Sequence, residues 1–186
     1  RVGSPASKEV LGSMGQSEDI NVRLEAKILA AATPDQANAE LSTILESSSA
    51  LLRMAALRAI SRHGLRGAFP TIARHVKAPN FNELGTDERR ELLRTLILLS
   101  SDHGEALVLE LLKKGGVFVS QSREASRVVA AEVLGELSRS TVVNEALREI
   151  SQTRWGTSEE TRGAASTASA KVSARAKEPL PVVAPK

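Results

Sequence analysis

The residues of this chain that could carry out chemistry are few and far apart. Its three histidines, His63, His75 and His103, could ligate a metal ion or act as general bases, and the chain has no cysteine. A zinc site needs three or four nitrogen, sulfur or oxygen ligands. No Asp or Glu lies between His63 and His75, and no Ser-His-Asp set has a geometric basis. We therefore predict no catalytic residue, no metal site, no cofactor and no enzymatic activity.

The closely spaced glycines do not form a phosphate-binding loop. Gly12 and Gly15, like Gly64 and Gly67, are isolated pairs. A Walker-type loop would place Lys-Ser or Lys-Thr directly after its last glycine. Alanine and phenylalanine follow Gly67 instead, so we predict no nucleotide site at either pair.

No apolar run approaches the roughly 18 to 20 residues that a membrane-spanning helix needs. The lack of cysteine excludes disulfides and disfavours a disulfide-stapled extracellular domain. We therefore predict no membrane insertion and a cytoplasmic location. Because the chain begins with Arg1 rather than Met, we expect it to be a piece of a longer protein.

Basic side chains are concentrated in one part of the chain. Between Ser47 and Asn82 there are six Arg and Lys and no Asp or Glu, whereas the remainder holds 19 basic and 22 acidic residues. Five of these cations and two histidines, which we call the basic cluster, are the candidate partner-binding residues: Arg58, Arg62, His63, Arg66, Arg74, His75 and Lys77.

Three interpretations of the basic cluster stay open at this point. Cations near a helix C-terminus are favoured by the helix dipole, so the charges need no partner. They could instead form a surface for an acidic protein, where charge would set encounter rate and specificity. Nucleic acid is a third possible partner, and it is disfavoured. Single strands bind on aromatic platforms, and the chain has only four aromatic residues: Phe69, Phe81, Phe118 and Trp155.

The composition favours helices as the elements that position these residues. Leu, Ala, Ile and Val dominate the hydrophobic residues, aromatics are 2% and tyrosine is absent. Sheets favour β-branched and aromatic residues, whereas Ala, Leu, Arg and Glu favour helix. The sequence therefore predicts an all-α chain.

A repeated arginine sets the register of these helices. An Arg is followed three, six and seven residues later by Ala or an aliphatic residue, with a degraded last copy, and the arginines are 30, 37, 37 and 35 residues apart: Arg23, Arg53, Arg90, Arg127 and Arg162. Each spacing fits two short helices and their turns. None of these helices can bury its apolar face alone, so neighbours must stack.

Second helices follow each arginine helix and complete the predicted pairs. The stripe at Leu65, Phe69, Ile72 and Val76 is the clearest of them. We predict a flexible segment over 1–15, a helical-repeat region over 16–176 and a proline-rich disordered tail over 177–186. The approximate repeats are 16–48, 49–78, 86–114 and 122–153, followed by a cap helix over 157–176 whose few large aliphatics suit an outer face in water.

The arginine helices resemble the first helix of HEAT repeats. Bacterial versions similar to the phycobilisome-lyase HEAT repeats carry Val-Arg-x-x-Ala-Ala-x-Ala-Leu-Gly at this position. Val22 and Arg23 match its opening, and the segment 130–135, Ala-Ala-Glu-Val-Leu-Gly, matches its end. The resemblance covers about residues 19–176. The usual Asp before the Arg appears only at Asp19, and the connections 78–87 and 113–122 are longer than the short bacterial ones.

The resemblance implies a right-handed α-solenoid of four to five HEAT-type helix pairs. Such repeats act as non-catalytic protein–protein interaction scaffolds, in bacteria often as modules of larger proteins, and their repeated arginines hydrogen-bond to neighbouring repeats. It implies a protein partner, acidic here, on the concave and basic surface. Two alternatives are a nucleic-acid-binding HEAT-like protein and a HEAT-like lyase or DNA glycosylase. The latter needs a catalytic carboxylate in a pocket, which the acid-free basic cluster makes harder to build.

Two aromatic positions have two interpretations each. Phe81 and Leu84 precede the third pair and could pack on Leu92 or Leu93 as a hydrophobic staple, or form an exposed binding knob. Trp155, at the end of the fourth pair, could pack against the cap helix or serve as an interface anchor.

Overall fold

The computed structural model describes residues 5–116 and 120–178, with side chains from residue 9 onward. These residues contain no strand, which confirms the all-α prediction for them. They form two short 3₁₀ helices, Arg66–Ala68 and Pro79–Glu83, and ten α-helices: α1 Pro5–Gly15, α2 Ile20–Ala30, α3 Pro34–Leu45, α4 Ala50–His63, α5 Phe69–Lys77, α6 Thr86–Leu99, α7 Ser101–Lys113, α8 Gln121–Leu137, α9 Thr141–Gln152 and α10 Glu159–Lys177. Phe118 and all but the first two residues of the expected tail over 177–186 lie outside the described residues.

The chain divides into two compact units, Arg1–Ser100 and Ser101–Lys186. The first unit contains α1–α6 and the second contains α7–α10. The boundary falls inside the repeat expected over 86–114, because α6 packs on α4 and α5 whereas α7 packs on α8 and α9. None of the helices described is long and apolar enough to cross a membrane.

In the first unit, alternate helices pack on one another in chain order. Helix α2 contacts α4, and α4 contacts α6, while α3 packs on α4 and α5 packs on α6. The side-chain oxygens of Asp19, Thr33 and Ser49 accept backbone N–H groups at the starts of α2, α3 and α4, which satisfies donors left free by the helix. The fully buried side chains of this unit include Leu41, Leu57, Ile60, Ile72, Leu93 and Leu96.

Helix α1 was not expected from the sequence. It covers Pro5–Gly15, most of the segment expected to be flexible, and packs on α2. Its Leu11 and Met14 are half-buried, whereas Val10 is exposed. Three glycines and a proline in the first fifteen residues weakened the helical pattern there, since glycine costs a helix about 1 kcal/mol relative to alanine.

In the second unit, α10 packs on both α8 and α9, and α7 packs on the same two helices. Ser120, Ser140 and Ser158 cap α8, α9 and α10 through their side-chain oxygens. Gly135 of α8 lies against α10, where an added Cβ would come within 2.7 Å of the Ala168 Cα. The buried residues that α10 contributes are small apart from Val172: Thr161, Ala165, Ala168 and Ser169.

Candidate functional site

Arg23 and Arg53 occupy equivalent positions near the starts of α2 and α4. Each lies four residues after its N-cap, Asp19 or Ser49. The Nη1 atom of Arg23 donates to the Ser17 carbonyl at 2.7 Å, and that of Arg53 donates to the Ser47 carbonyl at 2.6 Å. Arg162, also four residues after its cap, donates to the Thr157 carbonyl at 2.9 Å. At these three positions the arginine fixes the turn that precedes its own helix.

The other two arginines of the sequence register lie elsewhere in their helices. The residue four positions after Gly85, the N-cap of α6, is Arg89, which is buried, rather than the half-buried Arg90. In α8 that position is Glu124, and Arg127 follows one turn later. Arg127 lies seven residues after the N-cap of α8, and the residues at that distance from the N-caps of α2 and α4 are the buried Ala26 and Ala56.

Arg127 is 2% exposed and donates four hydrogen bonds. Its Nε donates to the Leu112 carbonyl at 2.9 Å, and Nη1 donates to the Gly156 carbonyl at 3.0 Å and to Glu124 Oε1 at 2.5 Å. Its Nη2 donates to Thr157 Oγ1 at 3.2 Å. A buried charge is tolerated only when it is paired and hydrogen-bonded, as here. This arginine therefore ties α7 and the loop 153–157 to α8.

Glu124, the partner of Arg127, also links α8 to α10. Its Oε2 accepts hydrogen bonds from Ser158 Oγ and Thr161 Oγ1, both at 2.7 Å. Burial raises the pKa of this carboxyl, but the hydrogen bonds from Thr161, Ser158 and Arg127 outweigh it and leave the pKa below its ordinary value.

A second link joins α4 to α6 at the corresponding helical positions. Arg53 donates Nε and Nη2 to the two carboxylate oxygens of Glu88, the latter at 2.8 Å. The hydrogen bond to Glu88 raises the pKa of Arg53 despite partial burial. Arg53 lies four residues after the N-cap of α4, and Glu88 lies three residues after that of α6. Glu124 and Thr161 hold the same two positions, counted from the N-caps, in α8 and α10.

The basic cluster is largely paired with carboxylates from other helices of the first unit. Arg62 and His63 both contact Glu25 of α2, His63 through an Nε2–Oε2 contact of 2.7 Å. Burial raises the pKa of Glu25, but the hydrogen bonds from His63 and Arg62 hold it below its ordinary value. Helix α4 is thereby attached to α2 at its C-terminal end.

The second Arg-His pair of the cluster repeats this arrangement. Arg74 Nη2 lies 2.7 Å from Glu46 Oε1, and His75 Nε2 lies 3.5 Å from the same oxygen. Arg58 pairs with Glu91 of α6 at 3.6 Å. Two cluster cations, Arg66 and Lys77, are exposed and have no ion pair within 4 Å among the described residues. The free positive charge of the cluster is thus confined to the turn before α5 and the end of α5.

A cleft of about 280 Å³ lies beside the paired residues of the first unit. Its walls include Leu57, Leu84 and Leu92 together with Arg53, Glu88 and His75. The ring atom His75 Nε2 is buried and lacks a hydrogen-bond partner among the described residues. Arg53 and Glu88 are engaged with each other at the wall, so they stabilise the packing of α4 on α6.

A larger cleft of about 500 Å³ lies in the second unit. It is bordered by Lys113 at the end of α7, by Glu149 and Ile150 of α9, and by the loop that carries Trp155. Trp155 is 87% exposed, so its indole does not pack against the cap helix α10, which was one of the two interpretations of this residue.

The structure also gives the positions of the other residues singled out in the sequence, Phe81, Leu84 and His103. Phe81 is 1% exposed, so it packs in the core and does not form a binding knob. Leu84 is half-buried and lines the smaller cleft with Leu92. His103 is exposed on α7, and no group of three His, Cys, Asp or Glu in the described part of the chain could hold a metal ion.

Comparisons of the chain with protein-family models, curated proteins and solved structures gave no match.

Proposed function

We propose that this chain is a non-catalytic scaffold of HEAT-type helix pairs that binds an acidic protein partner. The observation that carries the proposal is the recurrent link between successive first helices. Within the first unit Arg53 of α4 meets Glu88 of α6, and within the second Glu124 of α8 meets Thr161 of α10 at the same helical positions. Helices that stack in order and bond at a repeated position are typical of repeat proteins.

The charged residues of this chain work mainly to hold neighbouring helices together. Arg62 and His63 bind α4 to α2, Arg74 binds α5 to the end of α3, and Arg127 fixes three segments of the second unit. Side chains committed to such contacts stabilise a scaffold, and a scaffold presents its function on its remaining surface.

The partner surface that we propose in the first unit, which we call the α5 surface, contains fewer residues than the basic cluster. Arg66 and Lys77 are its exposed cations, and Arg74, whose side chain is 69% exposed, lies between them in sequence. Opposite charge on a partner would accelerate the encounter and fix its orientation more than it would add to affinity. An acidic protein surface is the partner that suits these residues.

The test is a charge reversal that leaves the helix contacts intact. Partners captured by the full chain would be identified by cross-linking and mass spectrometry, and their Kd would then be measured with purified components. We expect Arg66→Glu with Lys77→Glu to weaken binding at least about tenfold at low salt. The matched control, Arg148→Glu with Lys171→Glu, reverses two exposed cations of the second unit and should bind as the wild type does. Equal binding by both double variants would remove the α5 surface from consideration.

A further inference from the structure

The most exposed large apolar side chain of the described residues is Trp155, at 87% exposure. It lies between the end of α9 and the start of α10, at the edge of the 500 Å³ cleft. Tryptophan is the residue most enriched at the centres of protein interfaces, because its indole buries a large area and loses little conformational entropy. A single exposed indole beside a cleft is the arrangement of an interface anchor before its partner binds.

The loop that presents Trp155 is fixed on both sides. Before it, Thr153 Oγ1 donates to the Glu149 carbonyl at 2.8 Å. After it, the Gly156 carbonyl accepts from Arg127 Nη1 at 3.0 Å and from the Gly116 N–H at 3.3 Å. Gly156 has a φ of +69°, a left-handed conformation that side chains disfavour. These contacts hold the backbone on both sides of Trp155, and preorganisation of a loop reduces the entropy lost on binding.

The charges around Trp155 are predominantly positive. Lys113 lines the same cleft, and Arg154 precedes Trp155 and lines an adjoining depression with Arg162. None of these three cations has an ion pair within 4 Å among the described residues. Glu149 is the carboxylate that lines the cleft together with Lys113. Ile150 and the indole supply apolar surface between the charges, so a segment that combines an apolar side chain with carboxylates would complement both.

We propose that Trp155 and its cleft form a docking site for a short acidic peptide segment with an apolar anchor, carried by another protein. The apolar side chain would enter the cleft against the indole, and flanking carboxylates would pair with Lys113 and Arg154. This inference extends the proposed scaffold function to the second unit and depends on the chain being a protein-binding module. It does not depend on the α5 surface.

The experiment selects peptides from a random displayed library on the full chain, after depletion on Trp155→Ala. Trp155 is the one tryptophan of the chain, so a covered indole will report binding by a blue shift of emission. Affinities come from the anisotropy of labelled synthetic peptides. We expect selected peptides to contain Asp or Glu beside an aliphatic or aromatic residue, and Trp155→Ala to weaken binding about tenfold or more. Lys113→Glu with Arg154→Glu should weaken the same peptides and favour their lysine-substituted versions.

Leu51→Ala is the matched control, because Leu51 is an apolar residue of the first unit that is 66% exposed. It should leave the affinity unchanged, and circular dichroism would verify that all variants are folded. Peptides that bind Trp155→Ala as well as wild type, or selected peptides that are basic, would overturn the inference while leaving the scaffold proposal intact. A blue shift that grows with protein concentration in the absence of peptide would show a second copy on the site and overturn it as well. Failure of the scaffold proposal has a different signature, in which neither displayed peptides nor captured proteins bind.

Discussion

At the scale of single residues, the same helical position carries opposite charges in the two units. Arg53 holds it in α4 and Glu124 holds it in α8, and each reaches the start of the next first helix. Because α8 has a carboxylate at this position, its balancing cation is Arg127 one turn later, buried where other helices have alanine. The ion pair therefore has a structural role whose loss should be costly.

The variant Glu124→Gln should destabilise the chain by about 3 kcal/mol at pH 7, because it leaves the buried Arg127 without its counter-charge. The measurement is the free energy of unfolding by urea, followed by circular dichroism. Glu145→Gln, at an exposed carboxylate of α9, is the control and should change this free energy little. A Glu124→Gln variant as stable as the control would show that the pair contributes no net stability.

The same carboxyl predicts a pH dependence. The folded chain holds the pKa of Glu124 below its ordinary value of about 4.5. A lowered pKa stabilises the folded state at pH above the ordinary pKa, and this stabilisation is lost as pH falls through the folded pKa. Between about pH 7 and pH 3 the wild type should therefore lose more stability than Glu124→Gln does. Parallel loss in both proteins would contradict the assignment.

The arginine register taken from the sequence is displaced in two helices, by one residue in α6 and by one turn in α8. An arginine followed by apolar residues at helical spacing identifies the buried face of a helix, but not the turn at which the arginine lies. Arg127 fits that spacing although it occupies an alanine position. Its role depends on Glu124 and on carbonyls up to 29 residues away, and such long-range contacts have no local signal.

At the scale of elements, serine caps were the signals that best located the helices. The sequence offers Asp87 as an N-cap for α6, Ser120 or Ser122 for α8 and Ser158 for α10, and in the structure Ser120 and Ser158 accept a backbone N–H. The start of α6 was less clear, since Asp87 lies inside its first turn and Gly85 precedes the helix. The partners of the basic cluster, Glu25 and Glu46, could not be predicted, because they lie 28 to 38 residues away in sequence.

The contact of α8 with α10 provides a matched test of packing. Gly135→Ala would place a methyl group 2.8 Å from the Ala168 Cβ and closer still to backbone, and we expect a loss of about 1–3 kcal/mol from overpacking. Gly163→Ala in α10 meets open space and should stabilise the helix by about 0.5–1 kcal/mol. Thermal unfolding of both variants would check this, and a Gly135→Ala protein with wild-type stability would disprove the close approach.

At the scale of the whole molecule, the net charge is +3, and the basic cluster of the first unit is mostly paired with carboxylates of that unit. Four arginines of the acid-free region between Ser47 and Asn82 are each paired with a glutamate from outside it: Glu25, Glu46, Glu88 and Glu91. The helical class of the chain was evident from composition. The division at Ser100 was not, because it depends on long-range packing, that of α6 on α4 and α5 and that of α7 on α8 and α9.

This neutralisation leads us to expect no stable complex with nucleic acid at about 150 mM salt. Non-specific binding depends on cations free to replace counterions along the phosphates, and it weakens steeply with salt. Mobility shifts with duplex and single-stranded DNA at about 50 and 150 mM salt would test this. A complex that survives the higher salt and disappears in Arg66→Glu with Lys77→Glu would instead favour nucleic acid as the partner of the α5 surface.

Because Arg53 and Glu124 carry opposite charges, each of them suits the helix that follows it and not the other one. A rearranged chain in which α6 followed α8 would bring Glu88 against Glu124, two carboxylates at a position that now joins unlike groups. One in which α10 followed α4 would give Arg53 a hydroxyl, that of Thr161, instead of a carboxylate. Each link thus favours its own successor and penalises the alternatives. An exchange of these helices would therefore require the charges at the linking positions to change with them.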